Sequence, residues 1–322
     1  MKYHVYDYSD PYPPDEERPR RRRRRQRRKR RKHRGFLLLV CCIIAIGVYT
    51  ASLRTDLLSG FLPAAPLPST TSGVGGHGSG NDDSDPALSL HSADSETVRS
   101  LKAMSEGNPQ VKKILQDLDS YPEELLTLAL KNSEAAGFVA DYPEKHMATP
   151  EIDLSAEASQ DTVPLLLQWD ERWGYQSYGS GLIGWTGCGP TCMSMITLYL
   201  TGDASYDPGT VAAWAEENGY YSSGNGTAWT FMSKGCRHFG LRAEELPLVR
   251  QYMTNALDED CPIVCAMAPG DFTTTGHYIV ITGYDGDGFT VNDPNSPERS
   301  SRHWTYDELE GQISNLWAFS KA

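Results

Sequence analysis

Gly187-Cys188-Gly189-Pro190-Thr191-Cys192 places a cysteine between two glycines, just where an irregular stretch gives way to the apolar run Met193–Leu200. Proline fits the first turn of a helix, where its missing N–H is no loss, so Cys188 is expected at a helix N-terminus. Unpaired N–H groups and the positive end of the helix dipole stabilise a thiolate there. Cys192 falls one turn further in and reads as a buried core thiol. A nucleophilic thiol needs a base within hydrogen-bond reach and a group that orients the base. His277 opens the apolar run His277–Tyr284, the turn Asp285-Gly286-Asp287-Gly288 follows, and Phe289–Asp293 returns antiparallel. This hairpin carries Asp293 back beside His277, which makes them the candidate orienter and base. An oxyanion also needs donors. The backbone N–H of Cys188 is one candidate. The side chain of Gln168, between Leu165-Leu166-Leu167 and Trp169-Asp170, is the other, unless it merely ends a solvated strand. His238 and His303 sit in polar or mixed surroundings and read as surface residues, and His146 lies in a preceding helical segment.

The hairpin carries a parity condition. Side chains alternate along a strand, and antiparallel partners have residue numbers with a constant sum. An even-numbered loop makes that sum odd and sends His277 and Asp293 to opposite faces. An odd loop or a bulge is therefore expected, supplied by the glycine-rich Asp285–Gly288 run. If neither is present, neighbouring Asn292 becomes the first alternative orienter.

The elements that must position these residues read as follows. Thr162–Gln168 has strand character. Gly187–Leu200 forms a helix stopped by Gly202, and residues 210–217, 228–239 and 249–257 read as further helices. Residues 262–267, 277–284 and 289–293 are three strands of a β-rich half. Helices first and strands after imply an α+β domain with an antiparallel sheet, over about residues 160–322. Upstream, residues 95–147 show apolar positions at helical spacing, with a start signal at Tyr121-Pro122-Glu123-Glu124. They read as two or three short amphipathic helices, too few for a core of their own and expected to pack on the domain.

The N-terminal third is of another kind. Residues 1–34 hold 15 of the 30 Lys+Arg and 5 of the 42 Asp+Glu, a net +10 in a chain of net −12, which leaves −22 on the rest. Residues 35–53 (GFLLLVCCIIAIGVYTASL) carry no charge. A helix of that length covers roughly the 30 Å hydrocarbon core of a bilayer. A basic flank keeps the tail in the cytoplasm and sends the C-terminus outside. A cleaved signal peptide is the competing reading, with Thr50-Ala51-Ser52 only a poor cleavage site. The tail reads as a disordered topogenic and anionic-lipid contact and not as a nucleic-acid site, because no aromatic residue interrupts the Arg20–Arg34 tract. Residues 54–94, rich in Gly, Ser and Pro, read as a flexible stalk. Cys41 and Cys42 lie in the apolar span. The remaining five cysteines, an odd number, leave at least one thiol free in an oxidising setting.

Taken in order, Gln168-Trp169-Asp170-x-x-Trp173, Gly187-Cys188-Gly189-Pro190-Thr191, Asp271-Phe272-Thr273-x-x-Gly276-His277 and Val291-Asn292-Asp293-Pro294 resemble the C39-like peptidases. These are papain-like relatives of the peptidases that cut double-glycine leaders from bacteriocin precursors. The resemblance covers about residues 160–320. It implies a papain-like fold with Cys188 as nucleophile, His277 as base, Asp293 as orienter and Gln168 as oxyanion donor. No metal or other cofactor is expected, since no His/Cys/Asp cluster has zinc spacing and neither a Walker A nor a dinucleotide glycine motif is present. The expected activity is that of a membrane-tethered cysteine peptidase acting on peptide or protein substrates outside the cell, a cell-wall peptide among them. A tethered binding module without catalysis is the contrasting class.

Overall fold

The computed structural model describes residues 95–224 and 226–322. The expected tail, apolar span and stalk (1–34, 35–53 and 54–94) lie outside them. Among the described residues no helix is long and apolar enough to cross a membrane.

The arm holds four helices where two or three were expected: α1 (Glu96–Met104), α2 (Pro109–Ile114), α3 (Glu123–Lys131) and α4 (Ala136–Lys145). Ser95 caps α1 and Asn108 caps α2, each accepting backbone N–H groups that the first turn leaves unpaired. The sequence pattern runs α3 and α4 together because their apolar stripes are nearly continuous. Asn132 separates them: its backbone is extended, and its side chain accepts the N–H of Glu134 to start the turn Ser133–Ala135. Leu101, Val111, Ile114, Leu125, Leu126 and Val139 are buried mainly against one another. Tyr175 joins them, with Trp169, Leu182 and Trp185 at the margin. The arm therefore has a core of its own, which side chains of the following domain close.

After α5 (Ser155–Ala158) the chain runs extended, but the expected strand at 162–168 joins no sheet. Pro164 lacks a ladder donor, and a side chain holds the segment instead. Asn292 Nδ2 donates to the carbonyls of Val163 (3.1 Å) and Pro164 (3.0 Å). The small hairpin β1 (Ser177–Tyr178) and β2 (Gly181–Leu182) leads to α6 (Ile183–Thr186). Next come α7 (Cys188–Thr201) and α8 (Pro208–Glu217). Gly202, at φ 73°, ends α7 in the left-handed conformation that favours glycine. The hairpin β3 (Tyr221–Ser222) and β4 (Gly226–Thr227) precedes α9 (Trp229–Ser233). The single helix expected over 228–239 divides at Lys234, and its second half is the 3₁₀ segment Gly235–Phe239.

The remaining elements are β5 (Leu241–Glu245), α10 (Arg250–Asp258), β6 (Ile263–Met267), β7 (His277–Tyr284) and β8 (Phe289–Asn292). The chain then adds α11 (Pro297–Ser301), β9 (His303–Trp304), α12 (Tyr306–Glu310) and β10 (Ile313–Lys321). One antiparallel sheet has the order β5-β10-β6-β7-β8-β9, the α+β arrangement expected. β5 and β10 were not legible from the pattern. β5 reads Leu-Arg-Ala-Glu-Glu on the sheet edge, and a register shift near Ser314 interrupts the alternation of β10. One sheet face packs on α7, α8 and the 3₁₀ segment through Val264, Ala266, Tyr278 and Val280. The other buries Ile263, Cys265, Ile279 and Ile281 with Met253, Leu257 and Trp304.

Candidate active site

Cys188 is the first residue of α7, half-buried and free. Both flanking glycines are required by close approach. A Cβ on Gly187 would meet Ile183 Cγ2 at 2.5 Å and its carbonyl oxygen at 2.6 Å, and one on Gly189 would meet Thr227 Oγ1 at 2.5 Å. Thr227 cannot move aside easily, because it is buried and tied by Tyr178 Oη to its hydroxyl (2.9 Å) and by Tyr278 Oη to its carbonyl (3.0 Å). Thr191 Oγ1 donates to the Gly187 carbonyl at 2.8 Å and closes the first turn.

The hairpin meets its parity condition by a bulge, but not where it was expected. Tyr284 pairs with Phe289, so the connection Asp285–Gly288 has four residues, an even number. Val280 pairs with Asn292 and Ile281 with Val291, whereas Gly283 already pairs with Thr290. Thr282 is therefore the inserted residue, within β7, and its hydroxyl meets that of Thr290 at 3.0 Å. The insertion makes the pair sum even, so the row that buries Ile281, Ile279, Phe289 and Val291 continues to His277 and Asp293. Asn292, the alternative orienter, points elsewhere and holds the extended segment at Val163.

His277 Nε2 lies 2.7 Å from Asp293 Oδ1, and both residues are buried, Asp293 completely (0% exposed). The Cys188 thiol lies close enough to the same imidazole to act on its charge. Burial opposes a charge on the ring. The Asp293 carboxylate, its hydrogen bond and the Cys188 thiol outweigh it and raise His277 to about 10. Burial likewise works against the Asp293 carboxylate, but His277 and Arg299 hold it below the ordinary carboxylate range. Cys192, fully buried one turn into α7, has its thiol pushed well up by burial and is inert by comparison.

Gln168 (3% exposed) joins the two parts of the site. Its N–H donates to the Pro294 carbonyl at 2.7 Å, directly after Asp293. Its Nε2 donates to the carbonyls of Gly184 (3.0 Å) and Trp185 (3.3 Å), in α6 just before Cys188, and its buried Oε1 has no protein partner. His277 and Asp293 meet directly with Cys188 near the ring, and Gln168 bridges the residue after Asp293 to the helix before Cys188. The other histidines have other partners: His146 bonds the Tyr142 carbonyl, His238 stacks on Trp214, and His303 pairs with Asp285 at 3.0 Å. Asp285, Asp287 and His303 bring ligand atoms within 4.8 Å of one another at the hairpin turn. Asp285 is already used there, accepting the Asp287 N–H at 2.9 Å.

Sequence reasoning missed Arg299, whose Nε donates to Asp293 Oδ2 at 2.5 Å. Ser300, which accepts the Asp293 N–H at 2.9 Å, was missed as well. A signal was present, since Ser296-Pro297-Glu298 is a helix start that sets both residues within one turn after the cap.

The sequence model of the Peptidase_C39 like family matches residues 160–321. A similar solved structure is the peptidase domain of Streptococcus ComA, a bi-functional ABC transporter involved in a quorum-sensing pathway. It is 14% identical, covers 51% of this chain and 100% of its own, and has a TM-score of 0.35. Among curated proteins none matches significantly.

Proposed function

The chain belongs to the Peptidase_C39 like family, and from that premise we propose that it is a cysteine peptidase with Cys188 as nucleophile, His277 as base, Asp293 as orienter and Gln168 as oxyanion donor. The observation that carries this reading is the buried 2.7 Å His277–Asp293 contact with the Cys188 thiol at the same imidazole. The Cys188 thiolate attacks the scissile carbonyl carbon. The oxyanion that forms is met by the Cys188 N–H and by Gln168 Nε2, since the neighbouring carbonyls of Gly184 and Trp185 can share one of its two hydrogens. Collapse to a thioester expels the amine, which takes the His277 proton. Neutral His277 then accepts a proton from water as the water attacks the thioester, releasing the acid and returning the thiolate–imidazolium pair. Asp293 holds the ring by Nε2 throughout and leaves Nδ1 for the proton traffic.

The substrate class we assign is a peptide or protein outside the cell, cell-wall peptide included. The apolar stretch 35–53 behind a basic flank supports a single membrane crossing with this domain outside. Cys188→Ala should abolish hydrolysis of a peptide library and leave Tm within a few degrees. Mass mapping should place the fastest iodoacetate label on Cys188. A protein with no fast thiol would be a binding module instead. Protease shaving of intact cells should release the domain and spare the basic tail. A protected domain would remove the topology, and a mature N-terminus near Ala51 would show a cleaved signal.

A further inference from the structure

The segment that supports Asp293 is short and is held partly from the arm, more than 150 residues away in sequence. Apart from His277, the groups that bond Asp293 lie between Asn295 and Ser300. The Asn295 N–H donates to Oδ1 (2.8 Å), Arg299 Nε donates to Oδ2 (2.5 Å), and Ser300 Oγ accepts the Asp293 N–H (2.9 Å). α11, which carries Arg299 and Ser300, has five residues, and one turn of helix is not stable by itself. Its support comes from outside. The domain supplies Trp169 Nε1 to the Asn295 carbonyl (3.2 Å) and Trp304 Nε1 to the Arg299 carbonyl (3.0 Å). The arm supplies more. Asn132 Nδ2 donates to the Asn295 carbonyl (2.6 Å) and to its Oδ1 (3.1 Å). Glu134 accepts the Ser296 hydroxyl through Oε2 and the Glu298 N–H through Oε1 (2.9 Å). Ser296 in turn caps α11 by accepting the Arg299 N–H at 3.1 Å. Asn132 and Ser296 are buried, so the bonds they make are partly shielded from water, where leaving one unmade costs more, while the Glu298–Glu134 bond is exposed.

We propose that Asn132 and Glu134 of the arm are positioning residues for the catalytic acid, acting through Ser296 and Arg299 on Asp293. The proposal rests on the assignment of Cys188, His277 and Asp293 as the catalytic set. The arm and the acid loop form one hydrogen-bonded assembly, and loosening the α3–α4 corner lets Asp293 turn away from the His277 ring. The ring then loses part of what keeps its proton.

The pH dependence of Cys188 alkylation by iodoacetate in the full chain tests this. An anionic reagent is attracted to a thiolate–imidazolium pair and repelled by a lone thiolate, so the alkaline limb of the rate reports the imidazolium. The ionisable groups around the ring and thiol are Asp293, Cys192, Tyr178 and Tyr278, with Arg299 on the far oxygen of Asp293. The arm variants change none of them. Glu134→Ala and Asn132→Ala should move the alkaline limb towards acid by about one pH unit. Lys113→Ala, which breaks an arm ion pair with Asp141 and Glu144, should leave it in place. Should Glu134→Ala not fold, Ser296→Ala cuts the same link from the other side and must move the limb likewise. Variants that lower Tm while the limb stays fixed would overturn the positioning role. A wild-type Cys188 that is not alkylated preferentially would instead remove the catalytic assignment, and the proposal with it.

Discussion

The start of α7 and the β7–β8 hairpin hold the proposed catalytic side chains in different ways. Cys188 is placed by its immediate neighbours. Gly187 and Gly189 permit contacts at Ile183 and Thr227 that a side chain would block, and Thr191 closes the turn on the Gly187 carbonyl. His277 and Asp293 are sixteen positions apart and meet through one inserted residue, Thr282, and through bonds from Gln168, Arg299, Ser300 and the arm. A residue that opens a helix is set largely by the residue types beside it, here with Thr227 as the one distant contact. A buried ionic pair needs partners from several places, because an unmatched buried charge is costly.

Deleting Thr282 puts this contrast to its strongest test. A bulge-free hairpin keeps its core but separates the row of His277 from that of Asp293. Hydrolysis should fall by about 10²–10⁴-fold, the range a general base contributes, while α7 stays intact by far-ultraviolet circular dichroism. A fully active deletion variant would mean that the bulge does not decide the pairing. Asp293→Asn is the next largest change. It keeps the shape but leaves Arg299 without its anion, so activity should drop by about 10²-fold and stability by about 3 kcal/mol, read by urea unfolding. Retained stability would show that the pair is replaceable.

The pH dependence sharpens the comparison from the side of charge. His277 is raised to about 10 from an ordinary 6.5. Its proton therefore stabilises the fold fully below about pH 6.5, and the contribution is lost as pH rises to about 10. Asp293 is lowered, so its contribution is present above its ordinary value of 3.8 and is lost as pH falls through the lower folded value. Tm should decline between about pH 7 and 10 in the wild type and lose that decline in His277→Gln. An unchanged slope in the variant would assign the decline to other groups. The smallest effect is expected at Cys192→Ala, one turn from the nucleophile. Activity should persist, with a stability loss of about 1 to 2 kcal/mol from the buried thiol. If activity were lost instead, the inert role of Cys192 would be wrong.

Most of what α7 needs was legible in Gly187-Cys188-Gly189-Pro190, since helix starts are written in local residue types, and Gly202 marks the other end as clearly. β6, β7 and β8 were legible for the same reason, being runs of apolar residues with turns at their ends. β5 was not, because an edge strand with charged side chains carries no apolar period, and the 162–168 segment misled because it is apolar yet paired by a side chain. The residue types of Cys188, His277, Asp293 and Gln168 were visible, and so was the parity condition on the hairpin.

By itself, the sequence indicated that Cys188 opens a helix, that His277 and Asp293 flank one hairpin, and that they share a face only if an odd loop or a bulge aligns them. All of these depend on contacts between near neighbours in the chain or on the simple alternation of a strand. Only the tertiary structure decided that the insertion is Thr282, that Arg299 and Ser300 hold the acid, and that Asn132 and Glu134 reach α11 from the arm. Hydrogen bonds between segments far apart in the chain leave no period and no spacing in the sequence, because any polar residue at a surface looks like one that ends in a buried contact.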